Sequence, residues 1–164
     1  MEVHPGVSAS ASAGQTQTGF KFTSDDAKHI WQSRRDGFTF SRLAPYESWQ
    51  PFRDEARRLW TRYRKQFEPL SIVRLAVRYI NRIDIPGDGI ELKDYFRTSP
   101  EVSEDLPQRL AGFFMQLRIS QEDLQGQLLI NQTIVPPANE GVVSVVLDVD
   151  LFRSDDVPND EPGI

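Results

Sequence analysis

The 164-residue sequence contains no cysteine and only two histidines. Without cysteine the chain cannot form a disulfide, a thiolate zinc site or a cysteine nucleophile. Its histidines, His4 and His29, are too few for a histidine-rich metal site. No segment approaches the roughly 18 consecutive apolar residues of a membrane span, and the first residues lack the basic start and apolar run of a signal peptide. We therefore predict a cytoplasmic protein that binds no cofactor and no membrane.

The sequence motifs that mark the commonest enzyme classes are missing as well. There is no Gly-rich phosphate loop, no nucleophile elbow, and no HExxH or CxxC motif. This counts against an autonomous enzyme. An enzyme that uses only carboxylates and arginines remains open.

Charge is divided unevenly along the chain, although the net charge is only −5. Residues 21–82 carry 14 Lys and Arg against seven Asp and Glu, and residues 83–164 carry five against 16. One interpretation is a basic surface for an anionic partner. The other, which we favour, is that the two halves neutralise each other where their strands pair.

Residues 72–83 predict a strand with two different faces, because period-two alternation separates two kinds of side chain. One face is an apolar core stripe: Val73, Leu75, Val77 and Tyr79. The other alternates arginines with apolar residues: Ile72, Arg74, Ala76, Arg78, Ile80 and Arg82. A buried face cannot hold three unpaired guanidinium groups, and a solvated face does not need two isoleucines. We expect acidic side chains, a ligand or another protein to cover it partly.

The remaining patterns predict three strands, a long helix and four strands. Strands are expected near 20–22, 30–34, 38–43, 71–85, 111–119, 124–135 and 142–152, with helices at 48–67 and 90–96. Asp36-Gly37 between two alternating runs is typical of a hairpin. The prediction is an α+β fold, with a mostly antiparallel curved sheet of six or seven strands packed on one long helix. Trp49, Trp60 and Tyr63 are predicted to anchor its core.

The domain organisation follows from composition. Residues 1–18 are small, polar and aperiodic, and residues 154–164 are acidic and rich in proline, so both are predicted to be disordered tails. Residues 19–153 are predicted to form a single α+β domain.

The arginine-bearing face yields the candidate site. Its predicted binding residues are Arg74, Arg78, Arg82, Arg118, Asp148 and Asp150. Arginine forks suit phosphate or carboxylate, and paired aspartates can hold a divalent ion. The alternative is a ladder of Arg–Asp pairs across neighbouring strands, each worth a fraction of a kcal/mol.

Three other features have structural explanations that we favour. Asp25 and Asp26 are typical of a turn between strands rather than a metal pair. His29 is expected to be a histidine at the rim of the core. The basic residues of the long helix are expected to form a solvated face rather than a nucleic-acid site.

The function predicted from these residues is binding or protein interaction, with no catalytic or metal-ligating residue assigned. One alternative is a metal-dependent phosphate-ester or nucleotide hydrolase using Arg74, Arg78, Asp148 and Asp150. A second is nucleic-acid binding, which we disfavour. The expected partner is a second copy or another protein at the half-apolar face or an open sheet edge, with a small anion also open.

Two segments resemble a sporadically distributed bacterial family of uncharacterised proteins. Residues 43–52, with Tyr46 and Trp49, are similar to its pY..W..F pattern, and residues 72–82, with Arg78, Tyr79 and Asn81, to its R...RYIN pattern. The end of the last strand, at residues 147–150, resembles its LDID-type segment. The resemblance covers about residues 19–152, and the RYIN segment is its most specific part.

The resemblance implies signature positions, structural or functional, but no catalytic residue. These positions are Tyr46, Trp49, Arg78, Tyr79 and Asn81. Family members usually have an additional strand region before the first strands and continue beyond the last one. This chain therefore resembles a shortened member, in which sheet edges would be unpaired and part of any site would be missing.

Overall fold

The computed structural model describes residues 17–68, 71–87, 89–108 and 110–158. The chain divides into two compact units, Met1–Leu70 and Ser71–Ile164. The described residues contain one α-helix and seven strands, which form an antiparallel sheet of three strands and another of four. The predicted α+β class and the number of strands are confirmed. The strands are divided between two sheets, where the sequence pattern suggested one.

The first unit begins with a three-stranded meander. Its strands are β1 (Gly19–Thr23), β2 (His29–Arg34) and β3 (Gly37–Arg42), in the order β1-β2-β3. The predicted hairpin joins β2 to β3, with Arg34 opposite Gly37 and the turn at residues 35–36. Arg34 donates two hydrogen bonds to the Asp36 carboxylate, at 2.9 and 2.8 Å, which links the two sides of the turn.

The long helix, α1, spans Trp49–Phe67. It begins after Ser48, whose backbone is extended, and its first turn contains Pro51, where a missing N–H costs no helical hydrogen bond. It ends in the left-handed conformation at Glu68 (φ 42°), whose N–H donates to the Arg64 carbonyl at 2.9 Å. These boundaries agree with the predicted 48–67.

Aromatic side chains pack α1 on the meander. The ring centroids of Trp60 and Tyr63 lie 5.7 and 5.6 Å from that of Phe38. Tyr63 is buried, and its hydroxyl donates to the Arg34 carbonyl at 2.8 Å, so a core ring also ties the helix to β2. Trp60 is partly buried. The prediction that Trp49 is a core anchor is wrong: it is 41% exposed, in the first helical turn.

The second unit is a four-stranded sheet in the order β4-β7-β6-β5. Its strands are β4 (Leu75–Pro86), β5 (Phe114–Gln121), β6 (Gly126–Val135) and β7 (Val142–Arg153). β4 and β5 are therefore its edges. The predicted helix at 90–96 is a single 3-10 turn, Leu92–Asp94, and a second 3-10 turn, Glu122–Leu124, joins β5 to β6.

A small apolar core lies on one side of this sheet. Ile85, Phe96 and Val145 are buried together, and Phe96 comes from the connection between β4 and β5. Val73, predicted to belong to the core stripe, is exposed and precedes β4. Tyr79 of the same predicted stripe is exposed as well, at 37%, so Leu75 and Val77 are the members of the stripe that are partly buried.

The predicted tails lie mainly outside the described residues, which exclude 1–16 and 159–164. Residues 154–158 follow β7 without further strand. Arg153 Nε donates to the Asp155 carbonyl at 2.9 Å, and Val157 is buried. In the part of the chain that the structure describes, no helix combines the length and the apolar character needed to cross a bilayer.

Candidate functional site

Strand register brings the predicted binding residues to one face of the second sheet, named here the arginine face. Side chains alternate along each strand, so residues in register share a face. All six predicted residues lie on it. Its members are Arg74, before β4; Ala76, Arg78, Ile80, Arg82 and Asp84 of β4; Ser144, Val146, Asp148, Asp150 and Phe152 of β7; Gln127, Leu129, Asn131 and Thr133 of β6; and Phe114, Gln116, Arg118 and Ser120 of β5.

The tightest contact of the arginine face is between Arg78 and Asp148. Arg78 donates from Nε and Nη2 to the two carboxylate oxygens, both at 2.7 Å. Asp148 lies opposite Ile80 rather than Arg78, so the contact is diagonal. Diagonal neighbours are about 7–8 Å apart in an antiparallel pair, a separation that a long side chain can span.

A second arginine, Arg74, makes a similar contact from beyond the end of β4. Its Nη2 donates to Asp150 Oδ2 at 2.8 Å, and its guanidinium carbon lies 4.6 Å from the centre of the Phe152 ring. The guanidinium group thus makes a cation–π contact with the Phe152 ring. The other carboxylate oxygen, Asp150 Oδ1, is buried and accepts no hydrogen bond from a described residue.

A row of polar side chains extends from Asp148 across the sheet. Asn131 Nδ2 donates to Asp148 Oδ2 at 3.2 Å, and Gln116 Nε2 donates to Asn131 Oδ1 at 2.7 Å. The row links β7, β6 and β5, and Arg78 extends it to β4. Asn131 was not singled out by the sequence, although it lies at the matching alternate position of β6.

A separate group surrounds Ser144 near the other end of β4. Arg82 donates to Asp84 Oδ1 from Nε at 3.1 Å, and its Nη2 donates to the Pro136 carbonyl at 2.8 Å and to Ser144 Oγ at 3.0 Å. The Ser144 hydroxyl in turn donates to Asp84 Oδ1. Arg74, Arg78 and Arg82 are thus each held in place by hydrogen bonds to neighbouring residues.

These contacts shift the acid strengths of the aspartates. The pKa of Asp148 lies below its ordinary value of 3.8, chiefly because of the hydrogen bonds from Arg78 and secondarily because of the one from Asn131, with burial opposing both. The Ser144 hydroxyl, followed by Arg82, lowers the pKa of Asp84. Both carboxylates are therefore held in the charged form at neutral pH.

The face has a layered exposure, with arginines outside and aspartates beneath. The Arg78 side chain is 55% exposed, whereas that of Asp148 is 10% exposed. Arg118 is exposed and makes no hydrogen bond or ion pair with a described residue. Two apolar side chains accompany the arginines at the surface, Ile80 at 64% and Phe114 at 68% exposure. A partner would therefore meet guanidinium edges and apolar surface.

The signature positions of the family resemblance are divided between the two units. Tyr79 and Asn81 point to the opposite face of β4 from Arg78. Asn81 Nδ2 donates to the Leu147 carbonyl at 3.3 Å, a contact that spans β4 and β7. Tyr46 and Trp49 belong to the first unit, at the start of α1.

The other sequence clusters have local contacts of the expected kind. Asp26 accepts hydrogen bonds from the Ser24 hydroxyl and from the Lys28 N–H, which is a side-chain-closed turn. His29 stacks on Phe40 with ring centroids 5.8 Å apart. On α1, Arg58 is paired with Glu55. Among the described residues no group of three or more His, Cys, Asp and Glu is placed to hold a metal ion.

The sequence did not reveal a cavity of about 160 Å³ in the first unit. It lies between β2, β3 and the start of α1, and is lined by His29, Phe40, Arg42, Tyr46, Glu47, Ser48, Pro51, Phe52 and Glu55. Its acidic and basic groups already interact: Arg42 Nη2 donates to Glu47 at 3.4 Å. These residues come from separate segments without a shared period, so no sequence pattern marks them.

Comparison with protein-family models, with curated proteins and with solved structures gave no match.

Proposed function

We propose that the chain is a non-catalytic protein-interaction module whose binding surface is the arginine face. The observation that supports this is the pairing of exposed apolar side chains, Ile80 and Phe114, with arginines fixed in place by buried carboxylates. The two arginines lose little conformational entropy on binding, because hydrogen bonds to the aspartates already hold them in place. The matching partner is a protein segment with apolar side chains and carboxylates.

Charge balance favours a protein over a nucleic acid or a free phosphate. Arg78 and Arg74 are each neutralised by an aspartate, and Arg82 by Asp84. Arg118 is the remaining cation among the described members of the face. Nucleic-acid binding draws its affinity from uncompensated positive charge, whereas a nearly neutral face with apolar surface is typical of protein interfaces.

The same pairs weigh against the hydrolase alternative. A divalent ion would have to share Asp148 and Asp150 with the arginines that they bind. Asp148 in addition accepts a hydrogen bond from Asn131. The two carboxylates thus orient guanidinium groups, and oriented guanidinium groups support a binding function.

Peptide selection tests the proposal. Peptides selected from a displayed random library against the immobilised chain should be enriched in Asp or Glu together with large apolar residues. The double variant Phe114→Ser/Arg118→Glu should bind the selected peptides about tenfold or more weakly, because it removes apolar contact and reverses the charge at position 118.

A matched control changes the same kinds of residue elsewhere in the second unit. Leu124→Ser/Arg97→Glu alters an exposed leucine and an exposed arginine outside the arginine face, and it should leave the affinity unchanged. Equal losses in both variants would refute the proposal. So would magnesium- or manganese-dependent hydrolysis of p-nitrophenyl phosphate that Asp148→Ala abolishes, or oligonucleotide binding that falls steeply with salt.

A further inference from the structure

We infer that β4 pairs with β4 of a second copy of this chain. The two strands run antiparallel about a two-fold axis at Asn81 and join two four-stranded sheets into one sheet of eight. The pairing surface is the open edge of the sheet, and it shares Arg78 and Asp84 with the arginine face. The inference does not rest on the proposed function, because its tests measure dimer formation and not the binding of a partner protein.

The first support is the form of the edge. β4 has 12 residues and pairs with β7 alone among the described strands. Its register with β7 runs without interruption from Leu75 opposite Arg153 to Pro86 opposite Val142, so no bulge twists the edge away. Bulges, short length, charged side chains and prolines are the usual protections of an edge strand. β4 is long and has no bulge, and its one proline, Pro86, is its last residue. Its charged side chains favour pairing with another strand only in a register that neutralises them.

The second support is a pair of unused polar groups on this edge. Arg78 binds Asp148 through Nε and Nη2, and its Nη1 makes no hydrogen bond to a described residue. Asp84 accepts its described hydrogen bonds at Oδ1, and its Oδ2 accepts none from a described residue. The two side chains are exposed and share a face, but six residues of strand separate them by about 20 Å. They cannot meet within one copy.

A two-fold axis at Asn81 brings these groups together. In antiparallel pairing about this axis, a residue of one copy faces a residue of the other copy. The two residues lie equally far from position 81 in the sequence, one before it and one after it. Arg78 of one copy then lies opposite Asp84 of the other, and the pair occurs twice. On the opposite face Tyr79 lies opposite Ile83 and Val77 opposite Ile85, which are aromatic–aliphatic and aliphatic pairs of the stabilising kind.

Neighbouring registers either bring like charges together or pair a shorter length of β4. An axis at Ile80 places Arg78 opposite Arg82, and an axis at Arg82 places that arginine opposite itself, which sets like charges together. An axis at Tyr79 leaves Arg78 opposite Ile80. An axis at Ile83 places Arg82 opposite Asp84, but it overlaps β4 only over residues 80–86, whereas the axis at Asn81 overlaps it over residues 76–86. The register centred on Asn81 therefore combines opposite charges with the longer strand pairing.

Cysteine scanning reads the register directly, because the chain has no cysteine of its own. In an antiparallel two-fold dimer the residue on the axis faces its own copy, with Cβ atoms about 4.5–5.5 Å apart and within reach of a disulfide after a small shift. Asn81→Cys should therefore form a covalent dimer on oxidation with diamide. Tyr79→Cys, Ile80→Cys and Arg82→Cys should not, because their copies lie on diagonals or farther apart.

Light scattering supplies the second measurement. The unmodified chain should reach the mass of a dimer with rising concentration, and Asp84→Arg should raise the dissociation constant about tenfold, since it sets two pairs of arginines opposite each other. A chain that stays monomeric at its highest attainable concentration overturns the inference. A dimer that cross-links at 79, 80 or 82, or at none of the four positions, overturns it equally.

Discussion

Individual residues of the arginine face act in layers. Each buried aspartate fixes an arginine above it, and Asn131 fixes the carboxylate of Asp148 from the side. An arginine held at two nitrogens has few rotamers left, so its remaining N–H groups point in set directions. The aspartates thus determine what the outer surface offers, although they are scarcely accessible themselves.

At this scale the acid strength of Asp148 makes a testable contribution to stability. Its folded-state pKa is lower than its ordinary value of 3.8, because Arg78 and Asn131 stabilise the charged form. A carboxyl with a lowered pKa binds its proton more weakly when folded than when unfolded. Its stabilising contribution is therefore complete above the unfolded-state pKa and disappears as the pH falls through the lower, folded-state pKa.

Asp148→Asn should reproduce this loss at neutral pH. We expect the variant to be less stable by about 1–2 kcal/mol at pH 7, because a charge-assisted hydrogen bond is lost while Arg78 remains partly solvated. The difference from the unmodified chain should shrink steadily below about pH 4. Urea unfolding followed by circular dichroism at several pH values measures it. Asp123→Asn, at an exposed turn, is the control, and an equal pH dependence in that variant would contradict the assignment to Asp148.

Among the elements, α1 shows how much a helical pattern predicts. Its boundaries and its aromatic stripe follow from spacing, because one side of the helix packs on the meander. Spacing does not show where along the helix that packing begins. Trp49 has the right phase but lies in the first turn and is exposed, whereas Tyr63, towards the end of the helix, is buried.

Truncating the two helix tryptophans should separate phase from burial. Trp60→Ala should destabilise the first unit by about 2–4 kcal/mol, because Trp60 contacts Phe38 and Tyr63. Trp49→Ala should cost less, about 1 kcal/mol, since Trp49 is 41% exposed and its ring contacts Phe52 at the start of the helix. Thermal unfolding followed by circular dichroism measures the stability of both variants. Equal losses of stability would show that the exposure of the side chain does not determine the cost of truncating it.

The strands reveal a similar boundary of sequence-based prediction. Alternation alone assigned Arg78, Arg118, Asp148 and Asp150 to one face, because period two fixes the face whenever the register keeps parity. It could not choose the partner of each arginine, since a diagonal contact depends on how far β4 is shifted along β7. The division of seven strands into two sheets was missed for the same reason: local patterns do not encode which distant edges meet.

For the whole molecule, the uneven charge distribution has a specific resolution. β1, β2 and β3 form their own sheet, so most of the basic half does not pair with acidic strands. The basic and acidic halves meet in strand pairing at β4 and β7, where Arg78 and Asp148 form their contact. Strand pairing therefore joins the two halves at β4 and β7, whereas Arg34, Arg42 and Arg58 pair with carboxylates of their own unit. The family resemblance and the single domain over residues 19–153 remain predictions.

The placement of the tryptophans gives the molecule a built-in optical label. Trp31, Trp49 and Trp60, the only three in the sequence, all belong to the first unit. Intrinsic fluorescence near the tryptophan emission maximum therefore reports the first unit, while far-ultraviolet circular dichroism reports the strands of both. Val145→Ala, in the core of the second unit, should lower the urea midpoint seen by circular dichroism and leave the fluorescence midpoint unchanged. Equal shifts of both signals would instead identify one cooperative domain, so two ordinary spectra suffice to count the folding units of this chain.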